Sequence, residues 1–146
     1  MTGEFAVAVH AMVYLNHKKE TLSSETLATN VCTNSARIRK VMAKLKKGGL
    51  VMTKEGIAGG YYFDKEPDQV NLRQISDALE ARIVESTWKS GNKDMDCLIA
   101  SGMANILDGI CFKLDEACRD RLEQITIQDI DHAIFKEGGK VGCGKA

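Results

Sequence analysis

Residues 23–63 run SSETLATNVCTNSARIRKVMAKLKKGGLVMTKEGIAGGYYF. Leu27, Ala28 and Val31 share one face of a short helix that Ser24 is placed to cap. Asn30–Thr33 breaks that helix as a turn. Thr33 or Asn34 caps the next helix, whose inner face carries Ile38, Val41, Met42 and Leu45. Arg37, Lys40, Lys44 and Lys47 lie outside that face. Gly48-Gly49 ends the helix, because glycine accepts the left-handed conformation common just past a helix C-terminus. Leu50–Thr53 then reads as a strand, Glu55–Gly59 as a loop and Gly60–Phe63 as the returning strand. Helix, turn, basic helix and hairpin, in that order, make a winged helix-turn-helix, which sets its second helix in the DNA major groove.

The charge pattern points the same way. The chain carries 20 basic and 20 acidic residues and is formally neutral. Between Thr26 and Lys54 there are seven basic residues and no acidic one, which leaves 13 basic against 20 acidic elsewhere. A basic block on an acidic body attracts phosphates, while the remainder limits indiscriminate sticking.

Outward from this block, residues 3–17 place Phe5, Val9, Met12, Val13 and Leu15 on a broad apolar face, as a buried first helix. Leu72–Val84 reads as an amphipathic helix with Asn71 near its start and Ile75, Leu79 and Ile83 inward. The polar stretch from Trp88 to Asp96 reads as a linker. Residues 96–124 form one long helix, of order 40 Å at the standard rise per residue, interrupted only if Gly102 or Gly109 breaks it. Thr126 caps a last helix, with Asp129 at its third position. The expected organisation is a DNA-binding unit over 1–85, a linker over 86–95, dimerisation helices over 96–135 and a flexible tail over 136–146. The fold class is mainly α with a small β-hairpin wing.

Size and composition exclude several classes. A chain of 146 residues is one domain's worth and can bury a sizeable core. No apolar run approaches 18 residues, so no membrane-spanning helix is expected. The N-terminus has an acidic residue where a secretory signal wants positive charge, and a cytoplasmic location is expected. No nucleophile elbow, Ser-His-Asp arrangement or paired-carboxylate site stands out, and Lys46-Lys47-Gly48-Gly49 lacks the order of a phosphate loop. The chain therefore reads as a non-enzyme.

Three further segments resemble the Rrf2 family of bacterial transcription regulators. KKGGLVMTKEGIAGGYYF (46–63) leading into DQVNLRQISDALE (68–80) is similar to the family's strand, Gly-Gly-Tyr wing and helix ending in Ala-Leu-Glu. AVAVHAMVYLN (6–16) resembles its first helix and ITIQDI (125–130) its closing segment. The resemblance implies a winged-helix homodimer joined through its C-terminal helices. Such a dimer binds a palindromic operator on double-stranded DNA, and repression is the expected outcome. Some members hold an iron–sulfur cluster through three cysteines.

On this reading residues 34–47 are the recognition helix. Asn34 and Ser35 lie at its start, Arg37 and Arg39 can reach guanine edges or phosphate, and Lys40, Lys44 and Lys54 hold backbone. Gly59, Gly60 and Tyr61 match the family wing. Many relatives have an arginine just before the glycine that opens the wing loop, whereas this chain has Glu55, with Lys54 beside it. A carboxylate there would be repelled by phosphate. A protein-binding winged helix without DNA is the alternative, which the basic helix disfavours.

The five cysteines are an odd count at irregular spacings, which opposes a secreted disulfide framework. Cys97, Cys111 and Cys118 are 14 and 7 residues apart, which are whole heptads. Along an unbroken helix those steps span about 21 Å and 10.5 Å, too far for one cluster. No cofactor is therefore expected, and a cluster-bearing or metal-responsive regulator of the same fold is the alternative. The open readings are that Cys111 and Cys118 are small core residues at a helix seam, or that Cys97, Cys111 or Cys118 serves a redox switch, with Cys32 before the recognition helix as a further candidate. Cys143 lies on the glycine-rich tail. No histidine sits at metal-ligand spacing with a cysteine.

Overall fold

The computed structural model describes residues 1–137 and comprises six helices and one antiparallel hairpin. Helix α1 (Gly3–Lys18) starts where the Thr2 hydroxyl accepts from the Phe5 N–H and ends where Lys19 turns left-handed. It is buried on more than the one face the sequence suggests: Val7, Ala8, Ala11 and Tyr14 are sheltered along with Phe5, Met12 and Leu15. The cause is its central position, since α2, α3, α4 and α6 all pack against it.

Helix α2 (Ser24–Val31) is capped by Ser23 rather than Ser24, one residue earlier than expected. The Ser23 hydroxyl accepts from the Thr26 N–H at 3.1 Å. Cys32, at φ 61, ends α2 in the left-handed region. Helix α3 (Ser35–Lys47) begins at Asn34, whose side-chain oxygen accepts from the Arg37 N–H at 2.8 Å. Past α3, Gly49 at φ 76 lets the Leu50 N–H reach back to the Leu45 carbonyl at 3.0 Å.

The wing is shorter than the sequence suggests. Strands β1 (Met52–Lys54) and β2 (Gly60–Tyr62) pair Met52 with Tyr62, Thr53 with Tyr61 and Lys54 with Gly60. Leu50 and Val51 are buried core residues instead of wing strand. A bridge between Leu22 and Tyr61 attaches the hairpin to the segment before α2, with both N–H···O bonds at 2.8–2.9 Å. Gly60 is required there: at φ 151, a Cβ would stand 2.2 Å from the Leu22 carbonyl oxygen.

Helix α4 (Leu72–Ala78) opens with a reciprocal cap between Asn71 and Gln74. It does not continue to Val84 as expected. Glu80 adopts φ 52, the Ala81 N–H returns to the Ser76 carbonyl at 3.0 Å, and the Ser76 hydroxyl donates to the Ala81 carbonyl at 2.9 Å. These two bonds and the left-handed Glu80 close the helix where periodicity alone would have extended it. Ile83 and Val84 leave as irregular chain and donate their N–H groups to the buried Asp115 carboxylate at 2.7 and 3.0 Å.

Helix α5 (Leu98–Leu122) is continuous through Gly102 and Gly109. Its 25 residues span about 37 Å. Helix α6 (Ile127–Glu137) starts at the reciprocal Thr126–Asp129 cap and packs on α1. Ile127 is fully buried in the same core as Phe5, Met12, Ile38, Met42 and Ile75. The tail expected from 136 onward, with Cys143, lies outside the described residues beyond Glu137. Among the described residues no helix is long and apolar enough to cross a membrane.

Gly56 and Gly60 of the wing differ in a way that unfolding measurements can resolve. Gly60→Ala should cost roughly 2 kcal/mol through strain and the clash with Leu22. Gly56→Ala, at φ 103 but in open space, should cost less. Urea midpoints in the reverse order would contradict this account of the wing.

Candidate nucleic-acid interface

The inner face of α3 decides what its outer face shows. Ile38, Val41, Met42 and Leu45 are completely buried. At 3.6 residues per turn, the line opposite them runs through Ala36, Ala43 and Lys47, with Lys40 beside it. Arg37 and Lys44 flank that line toward α1, and Arg39 and Lys46 flank it toward α2. All of these are exposed apart from Lys44, which is half-buried. Ala36 and Ala43 carry no charge or polar group that would mark them in the sequence. Their small side chains at the crest let the helix axis approach a partner closely while the longer cations reach around it.

The cations are not all free. Lys40 Nζ lies 3.0 Å from Glu4 Oε1 and Lys44 Nζ lies 2.9 Å from Glu4 Oε2. Hydrogen bonds from Lys44 and then Lys40 hold the Glu4 carboxyl below its ordinary pKa, against a smaller opposing effect of burial. The stabilisation this implies is present above the ordinary glutamate pKa, about 4.3, and is lost as pH falls below it through the lowered value. Across the helix, Arg39 Nη1 lies 3.3 Å from the Ser24 hydroxyl and 3.6 Å from the Glu25 carboxylate. The Arg37 guanidinium packs so close to Gly3 that a Cβ there would stand 2.3 Å from Nη2. Lys46, Lys47 and Lys54 make no ion pair among the described residues.

Asn34 uses its side-chain oxygen on the α3 cap, which leaves its amide N–H groups to face outward. Ser35 is half-buried. In the wing, Lys54, Glu55, Gly56 and Ile57 are exposed at the tip. Gly59 is confined by the turn, since a Cβ would stand 2.3 Å from the Lys54 carbonyl oxygen. Gly60 and Tyr61 are committed to the Leu22 bridge, and Tyr61 packs against the core. These two glycines and the tyrosine thus have clear structural duties in building the wing.

A second surface is set by α5. Asp115 and Leu122 are its buried residues, and both lie toward the body of the chain. Ile99, Met103, Ile106, Ile110, Leu114 and Ala117 form a stripe that is centred roughly 140° around the helix from Asp115. Ile99, Ile106, Ile110 and Leu114 are 48–70% exposed, far more than apolar packing within one chain would leave. The heptad line through Cys97, Cys111 and Cys118 lies nearer the body of the chain and does not coincide with this stripe. Beside the body, α1 and α6 frame an apolar hollow of about 420 Å³, lined by Phe5, Val9, Val13, Ile130, Ile134 and Phe135 among others.

All four described cysteines are unpaired. Cys97 is the N-cap of α5 and is exposed, while Cys111 and Cys118 are half-buried within it. Cys111 and Cys118, the two for which a helix seam was the alternative, are thus more sheltered than Cys97. Because α5 is unbroken, the three do not converge. Among the described residues no three His, Cys, Asp or Glu side chains are grouped to hold a metal ion, so this donor set does not fit a cluster within one chain. The Cys97 thiol is pulled below its ordinary pKa by the Ala100 and then the Ile99 backbone N–H groups. Cys32 is exposed at the α2–α3 turn, its thiol directed at the Thr29 carbonyl, 3.8 Å away.

The family model described as Rrf2, an iron-dependent transcriptional regulator, matches residues 1–133. A Bacillus subtilis protein described as the HTH-type transcriptional regulator YwnA is 24% identical over 135 residues, covering 92% of this chain and 99% of that one. A crystal structure described as a transcriptional regulator from Lactobacillus plantarum superposes with TM-score 0.79 at 25% identity, covering 94% of this chain and 93% of that one. IscR of T. potens superposes at 0.66 with 20% identity, covering 99% and 93%. CymR of B. subtilis, described as the global cysteine regulator, superposes at 0.64 with 19% identity, covering 90% and 95%. The last two likenesses bear on the fold alone.

Thiol reactivity tests the Cys97 geometry. At neutral pH, limited iodoacetamide treatment mapped by mass spectrometry should label Cys97 ahead of Cys111 and Cys118. Labelling of Cys111 or Cys118 first would contradict an exposed thiol of lowered pKa at the start of α5.

Proposed function

The chain belongs to the Rrf2 family of transcription regulators, and from that membership we propose that it binds an inverted-repeat operator as a homodimer and represses transcription there. The observation that carries this reading is the outer face of α3, a crest of Ala36 and Ala43 between two rows of cations. The crest enters the major groove, where alanine suits contact with a thymine methyl. Asn34, Ser35, Arg37 and Arg39 are the base-edge and near-base contacts. Lys40, Lys44, Lys46 and Lys47 hold phosphates, and Lys54 with the turn that Gly59 and Gly60 close tracks the neighbouring backbone. Tyr61 supports the wing from behind. Glu55 at the exposed tip points the wing's chemistry away from phosphate, so the wing adds less to affinity than Lys54 alone would suggest. Repression follows most simply, because occupancy of a promoter by itself obstructs transcription. The protein works where the DNA is, in the cytoplasm.

The second half of the proposal is the homodimer. Among the described residues nothing covers the Ile99–Ala117 stripe on α5, and the apolar hollow between α1 and α6 is likewise open. A second copy supplies an apolar helix of matching chemistry for both. Two α3 helices held by that pairing reach half-sites about 34–36 Å apart, one helical turn of DNA.

Cys97 supplies a route for a thiol signal. It is exposed at the start of the dimerisation helix, and its lowered pKa favours the reactive thiolate. A peroxide transfers one oxygen to that thiolate, which leaves a sulfenate and releases water or an alcohol. The modified side chain then sits at the edge of the dimer stripe.

Two substitutions test the halves separately. Ala43→Glu should weaken operator binding roughly 10- to 100-fold with no loss of dimer. Ile110→Glu should shift sedimentation from dimer to monomer and weaken operator binding with it. An Ala43→Glu variant that binds like the parent would overturn the role of α3. A monomeric parent, or a dimer unaffected by Ile110→Glu, would overturn the role of α5.

A further inference from the structure

The row of cations facing α1 contains a carboxylate that the DNA reading does not use. Glu4 sits in the first turn of α1 and reaches α3 only through tertiary packing. One of its oxygens is bonded to Lys40 at 3.0 Å and the other to Lys44 at 2.9 Å. The Glu4 side chain is 28% exposed against 66% for Lys40, so the carboxylate lies behind the ammonium groups it holds. Arg37 stands in the same row, and Glu80, Arg82 and Glu85 line the adjoining hollow. The two lysines therefore meet any approaching phosphate already engaged by an anion.

We infer that Glu4 is a built-in stand-in for a DNA phosphate, holding Lys40 and Lys44 splayed in the free protein and competing with the nucleic-acid backbone for both. This rests on the assignment of α3 as the DNA-reading helix. A carboxylate and a phosphate oxygen present the same chemistry to an ammonium group, an anionic acceptor at about 2.7–2.9 Å. When the backbone arrives, the lysines either leave Glu4, which exposes a carboxylate beside phosphates, or share their charge between the two. Either way the ionic contribution of Lys40 and Lys44 is reduced. Base-edge contacts are untouched, so a larger share of the binding comes from sequence. Glu4 is in this sense a specificity-determining residue that limits attachment to random DNA.

The salt dependence of binding reads the effect directly. Affinity falls with salt by a slope of about 0.9 per phosphate neutralised, so each contact is worth roughly threefold between 50 and 200 mM. The full-length protein, Glu4→Gln, Glu4→Asp and the Lys40→Gln/Lys44→Gln double variant are titrated onto a random-sequence duplex at both salt concentrations. Releasing both lysines in Glu4→Gln should increase the loss of affinity between the two salts by up to about tenfold, the limit set by two full contacts, because the parent's lysines already contribute part of theirs. Glu4→Asp, which keeps the charge, should stay close to the parent, and the double lysine variant should lose less affinity than the parent. Three results would overturn the inference. One is a Glu4→Gln variant with the parent's salt dependence. Another is a lysine pair whose removal changes nothing. The third is a Glu4→Asp variant that rises as far as Glu4→Gln, which would assign the effect to α1 packing. In each of these the parent still binds DNA, so the DNA reading stands; a parent that binds no DNA at any salt removes both.

Discussion

The burial of one face of α3 is the constraint on which the surface chemistry depends. Ile38, Val41, Met42 and Leu45 are each fully enclosed by α1, α2 and α4, and burying a side chain of this kind is worth about 1.5–3 kcal/mol. A rotation that hid the cations would have to expose all four. The helix is therefore locked in one orientation, and the Ala36–Ala43 crest with its flanking lysines and arginines is presented whether or not a partner is near. Two carboxylates, Glu4 on one side and Glu25 on the other, border this presentation. Exposed pairs of this kind contribute little to stability, and their importance lies in where they hold the charged ends.

The same orientation passes to α5 through Leu122, which joins the apolar core, and through a set of polar contacts. Asp115 accepts from two backbone N–H groups just past α4, Arg119 reaches Asp77 at 2.6 Å, and Arg73 bonds Asp120 and Glu123. These fix the C-terminal half of the long helix against α4. The half from Leu98 to Leu114 has no fully buried side chain. Cys97 and the apolar stripe thus lie on a helix whose far end is tied to α4, which packs against α3.

What was legible in the sequence followed from local chemistry. Alternation between apolar and basic residues located α3, Asn34 and the Gly48-Gly49 pair bounded it, and Thr126 with Asp129 announced α6. The errors arose where tertiary geometry overrode local pattern. Periodicity carried α4 on to Val84, but a left-handed Glu80 and the Ser76–Ala81 bonds stop it after Ala78. Leu50 and Val51 suit a strand as well as a core plug, and only packing chooses. The Glu4–lysine bridge joins residues distant in sequence and leaves no local trace. The stripe on α5 was written in Ile99, Ile106 and Ile110, yet the heptad-spaced cysteines drew attention to the line beside it.

Selection of bound duplexes from a random-sequence pool tests the central claim most directly, that two locked α3 helices on one dimer read DNA. The account predicts recovery of an inverted repeat whose half-sites are one helical turn apart, about 10–10.5 base pairs centre to centre. Recovery of duplexes with no shared sequence, or of a single unrepeated site, would contradict it.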